Sequence, residues 1–118
     1  MISFITATLG VFSNLTSVGP AFAHSQLLAS TPASGSEVTA PTELVLSFSE
    51  AIEPALSKAE LTCAEGKISG LGQSRVDANG KTLRISLPPL PPGKCEVSWI
   101  AVSVDGHRTH GEFTFTDR

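Results

Sequence analysis

Lys94-Cys95-Glu96-Val97-Ser98-Trp99-Ile100-Ala101 puts Cys95, Val97, Trp99 and Ala101 on one side and mostly polar residues on the other. Side chains alternate between faces along an extended chain, so this stretch predicts a strand with one face buried. The same period of two recurs on both sides of it. Glu43 to Ser49 aligns Leu44, Leu46 and Phe48. Ala59 to Ala64 aligns Leu61 and Cys63. Thr82 to Leu87 aligns Leu83, Ile85 and Leu87, and Glu112 to Thr116 aligns Phe113 and Phe115.

Turn-forming residues separate these segments: Thr31-Pro32-Ala33-Ser34-Gly35, Ala40-Pro41, Glu65-Gly66, Asn79-Gly80, Pro88 to Gly93 and Asp105-Gly106. Only Ile52 to Lys58 has room for a helix, and Pro54 restricts it to about one turn. Pro88 to Pro92 reads as a stiff connection between two strands. There is no internal repeat. Short alternating strands with regular turns predict an all-β, antiparallel β-sandwich or small barrel in a single domain.

The length of 118 residues leaves no room for a second domain, a (β/α)8 barrel or a full dinucleotide-binding fold. Eight basic and eleven acidic residues give a net charge of -3. That balance argues against a nucleic-acid partner, which calls for a basic surface.

No charged residue lies before His24. Residues 1–23 are mostly small and apolar and end in Ala21-Phe22-Ala23, a small-x-small cleavage pattern. They read as a secretory signal peptide cut before His24, leaving 24–118 as the exported domain. Asn14 and Pro20 break the apolar run, which makes it a poor membrane span. The stretch has no Lys or Arg near its start, a departure that a start further upstream would explain. No later segment is apolar enough to cross a bilayer, so the exported part is expected to be soluble.

Cys63 and Cys95 both fall on the apolar sides of their strands. In an exported protein they can form a lasting disulfide; unbonded, they would pack as two small buried thiols. Neither Cys-x-x-Cys nor paired zinc-type spacing is present.

The three histidines carry the chemistry. After cleavage, His24 would offer both its α-amino nitrogen and its imidazole Nδ1 to one metal in a six-membered chelate ring. His107 and His110 lie in Asp105-Gly106-His107-Arg108-Thr109-His110-Gly111. In an extended segment Asp105 and His107 would project to the same side and His110 to the other. Nitrogen and carboxylate donors in a tetragonal arrangement suit Cu(II).

The exported region resembles the CopC family of periplasmic copper-binding proteins. The resemblance rests on His24, Ser30-Thr31-Pro32-Ala33, Gly35-Ser36, Leu46, Phe48-Ser49-Glu50, Gly93 to Trp99, Ser103-Val104-Asp105-Gly106-His107, Gly111 and Phe113-Thr114-Phe115. It implies an Ig-like Greek-key β-sandwich and one Cu(II) held by His24, Asp105 and His107. Glu50 matches an acidic position near the metal, as a weak ligand or as an acceptor that orients His24. It also implies a periplasmic, monomeric, non-enzymatic protein that buffers or delivers copper, or confers resistance to it, beside a CopD-type membrane partner.

Some family members bind Cu(I) through a Met-rich loop with a His. Here Cys63 to Ser69 contains neither, and the only methionine is Met1. His110 has no counterpart that assigns it a role; a position just outside the ligands is open to it. Two other readings compete. A copper oxygenase with an N-terminal histidine brace would need long substrate loops, for which the exported region has little room. A metal-free Ig-like structural or interaction domain would show no change in stability when copper is added.

Overall fold

The computed structural model describes residues 25–118; the expected leader and His24 lie outside the described residues. Nine strands follow in order: β1 (Leu27–Thr31), β2 (Glu37–Val38), β3 (Glu43–Phe48), β4 (Lys58–Cys63), β5 (Gly66–Lys67), β6 (Arg75–Val76), β7 (Thr82–Ser86), β8 (Gly93–Val102) and β9 (Arg108–Asp117). They form two sheets with spatial orders β1-β3-β7-β6 and β2-β9-β8-β4-β5. Connections cross repeatedly between the sheets, which makes the domain a Greek-key β-sandwich. All pairings are antiparallel except β2 with β9, which run parallel.

The alternating residues build the core. Leu44, Leu46, Leu83 and Ile85 of the first sheet face Leu61, Val97, Trp99 and Phe115 of the second, all almost fully buried. Phe48 meets Trp99 edge-on across the layers, with ring centroids 5.3 Å apart. Trp99 pairs with Gly111 on β9. A Cβ on Gly111 would stand 2.7 Å from the Trp99 ring, so the indole covers the glycine's open face.

Cys63 and Cys95 form a disulfide that ties β4 to β8 inside the core. The bond settles the choice between bonded and free thiols left open above. Residues 52–58 make no helix. Leu56 and Ser57 donate to the Glu53 carbonyl in a single turn, and Ile52 bridges to Ser103. The edge strand β1 does not alternate, because its register against β3 shifts between Leu27 and Ala29. Leu28 is left exposed there.

Candidate metal centre

Three segments meet at one end of the sandwich: Ser25-Gln26 at the start of the described chain, the corner 49–53 after β3, and the β8–β9 hairpin. The hairpin is tight. Gly106 donates to the Ser103 carbonyl and Ser103 to the His107 carbonyl, each at 2.8 Å. Val104, Asp105 and Gly106 are therefore a three-residue loop, and Gly106 takes the positive φ of 94° that such a loop requires. The corner docks on the hairpin base: Val104 donates to Ala51 at 3.1 Å and Glu53 to Val102 at 2.7 Å.

Asp105 and His107 come together through this loop. The sequence marked Asp105-Gly106 as a turn and set the two side chains on one side only for an extended segment; the chain does turn at Asp105, whose carboxylate folds back over the turn. Its Oδ1 accepts a short hydrogen bond from the Ser103 hydroxyl and a longer one, 3.2 Å, from the His107 amide. The His107 Nδ1 stands 3.1 Å from the same oxygen. These donors hold the Asp105 carboxyl well below the usual carboxylate range, at about 2, with the Ser103 hydroxyl as the largest cause. The group is a carboxylate at any neutral or mildly acidic pH. Both side chains are about half exposed, so an ion can reach them from solvent.

The separation of 3.1 Å is that of a direct hydrogen bond or ion pair, which a bound cation would have to replace. Two donors in adjacent positions, each about 2.0 Å from a metal, lie about 2.8 Å apart. A pair does not complete a site, however. Among the described residues no group of three His, Cys, Asp or Glu side chains converges as a metal cage.

The other candidates divide. Glu50 lies on the corner beside the hairpin; its side chain is exposed, and its carbonyl accepts from the Ser25 hydroxyl at 3.2 Å. His110 lies on β9 opposite Ile100 and is exposed. Phe113 and Phe115, an odd number of residues away, point into the core, so His110 belongs to the outer face of the sheet. His24 lies outside the described residues. Sequence reasoning assigned no role to three hydroxyl residues at this end: Ser25, Ser103 and Thr109. Only Ser103, two residues before Asp105, stood in a pattern that could have been noticed.

Residues 27–118 match the family model described as CopC domain. The chain is 34% identical over 123 residues to Copper resistance protein C of Xanthomonas campestris pv. juglandis, covering 97% of this chain and 94% of that one. It is 39% identical over 98 residues to Protein YobA of Escherichia coli K12, covering 80% and 79%. Among solved structures it is similar to PcoC, a methionine-rich copper resistance protein from Escherichia coli. There the TM-score is 0.73 at 34% identity, over 81% of this chain and all of that one.

Proposed function

The chain belongs to the CopC domain family, and from that premise we propose that it is an exported, periplasmic protein that binds one Cu(II) ion and buffers or delivers it. The copper is cargo, held by His24 through amine and imidazole and by Asp105 and His107. The observation that carries the reading is the Asp105–His107 pair, whose Oδ1 and Nδ1 are 3.1 Å apart on a half-exposed hairpin. The described chain starts beside that hairpin, since the Ser25 carbonyl accepts from Thr109, two residues after His107, at 2.7 Å. In sequence, His24 immediately precedes that fixed point.

The donor chemistry supports Cu(II) over Cu(I). Imidazole, amine and carboxylate are the ligands that tetragonal Cu(II) prefers, whereas Cu(I) prefers thiolate and thioether. The only methionine is Met1, and both cysteines are used in the disulfide. Glu50 would take a position beside the metal, and His110 none. Binding and release of an ion need no catalytic residue, and a membrane protein of the CopD type is the proposed exchange partner of this monomer.

The test uses the whole precursor, exported in a bacterial host, with the N-terminus of the product read by mass spectrometry. Cu(II) affinity and EPR spectrum are compared with those of a product carrying one extra Ala before His24. The expected result is a product that begins at His24, much weaker binding by the extended protein, and a changed spectrum. Equal binding by both would remove the amine from the ligand set.

A further inference from the structure

We infer that Thr109 and Ser25 are positioning residues: their hydrogen bond fixes Ser25 to the strand that follows His107, and so controls how tightly the proposed site holds Cu(II). The inference rests on the copper reading above and deepens it. Ser25 is fully buried. Both its polar side-chain and main-chain oxygens are used. Its carbonyl accepts from Thr109 Oγ1 at 2.7 Å, and its hydroxyl donates to the Glu50 carbonyl at 3.2 Å. The next residue is fastened as well: the Gln26 amide donates to Ser49 Oγ at 2.9 Å, and the Gln26 carbonyl accepts from the Ser49 amide at 2.9 Å. These four hydrogen bonds tie Ser25 and Gln26 to the corner after β3 and to β9.

The placement of the clasp matters more than its strength. Thr109 follows His107 by two residues, so one short piece of backbone carries a proposed ligand and the group that grips the chain beside the others. A movement of the hairpin therefore carries the entry point of the chain with it. A chelate whose arms are held in place before the metal arrives loses less freedom on binding than one on a loose tail. Groups one step behind the ligands commonly change metal affinity 10- to 100-fold.

The experiment uses the exported product of the full precursor, with its N-terminus checked by mass. Thr109→Val keeps the branched shape and removes the hydroxyl, and Thr109→Ser restores it. Three quantities are read: Cu(II) affinity by chelator competition, the EPR spectrum, and hydrogen exchange of the Gln26 amide in the copper-free protein. Thr109→Val is expected to weaken Cu(II) binding 10- to 100-fold and to alter the spectrum. Gln26 exchange should become about fivefold faster, as expected for one lost hydrogen bond. Thr109→Ser should recover all three. Ser25→Ala, which removes only the bond to Glu50, should shift them in the same direction by less, and it serves if the valine protein does not fold. A Thr109→Val protein with the parent's affinity and spectrum overturns the positioning role, whatever its melting temperature. Unchanged Gln26 exchange overturns the clasp itself, independently of copper. A parent protein that binds no Cu(II) overturns the copper reading, and this role with it.

Discussion

The indole of Trp99 covers Gly111, its partner on the neighbouring strand, so closely that a Cβ at position 111 would lie 2.7 Å from Cζ2 and 2.9 Å from Cε2. The ring has little room to retreat, because Phe48 stands edge-on against it at 5.3 Å. Alanine in place of a strand glycine ordinarily gains about 0.4–1 kcal/mol through the unfolded chain. Overpacking a filled core costs about 1–3 kcal/mol. The second effect is the larger, so Gly111→Ala should lower stability by about 1–2 kcal/mol. Urea denaturation measures this directly; an unchanged or raised midpoint would show that the indole moves aside freely.

The disulfide between Cys63 and Cys95 closes a loop of 32 positions. Constraining a loop of that length in the unfolded chain is worth about 3–4 kcal/mol. The Cys63→Ala, Cys95→Ala protein should therefore unfold at clearly lower denaturant, while its folded circular-dichroism spectrum stays that of a β-sandwich. A loss under 1 kcal/mol would mean that the bond adds little to what core packing already secures.

Which parts could be read from the sequence follows from how local their causes are. The strands β3, β7, β8 and β9 announce themselves because burial on one face forces alternation, and Leu44, Leu46, Leu83, Val97 and Phe115 are indeed buried. The strand β1 gives no such signal. Leu27-Leu28-Ala29 is an edge whose register slips, so apolar side chains fall on both sides. Two-residue strands such as β2 and β6 are too short for any period. Asp105 and His107 stood out as a pair, but their approach depends on a hairpin loop closed by Ser103, not on strand alternation. The bond from Thr109 to Ser25 spans 84 residues between two common residue types, and only the folded chain reveals it.

The Ser103 hydroxyl is the main reason that the Asp105 carboxyl titrates at about 2 instead of near its ordinary 3.8. A carboxyl with a lowered folded-state value stabilises the fold above its unfolded-state value and loses that contribution as pH falls through the folded one. Ser103→Ala removes the largest cause, so the Asp105 titration midpoint should move upward, toward the ordinary value. Carbon-13 NMR of the side-chain carboxyl across pH 1 to 6 reads it. An unmoved midpoint would assign the effect to the His107 amide and ring instead.

Trp99 is the only tryptophan, which makes its fluorescence a single-site signal. Its partner Gly111 lies four residues along the strand direction from His107, about 14 Å if fully extended. An open-shell Cu(II) ion bound at the hairpin quenches an indole at such a distance by energy or electron transfer. Stoichiometric Cu(II) should therefore quench the emission and Zn(II) should not. Quenching that continues well past one equivalent would point to scattered surface binding.

The two histidines of the hairpin region make the sharpest contrast. His107 contacts Asp105 at the loop, whereas His110 belongs to the outer face of the sheet, opposite Ile100. Removing a ligand costs more than the 10- to 100-fold typical of a supporting group, so His107→Ala should weaken Cu(II) binding by at least about 100-fold. His110→Ala should leave it within a fewfold. Acid separates the donors further. The Asp105 carboxyl, held at about 2, stays ionised from pH 8 to pH 5 and contributes nothing to a loss of affinity over that interval. Nitrogen ligands bind the metal only when they carry no proton, so the proposed set predicts a fall in affinity as pH drops across that interval. Competition against a chromophoric chelator at pH 8, 6.5 and 5 measures it, with the chelator's own protonation corrected. A flat profile would exclude the nitrogen-rich ligand set, and a larger loss from His110→Ala than from His107→Ala would move the site to the other face of the sheet.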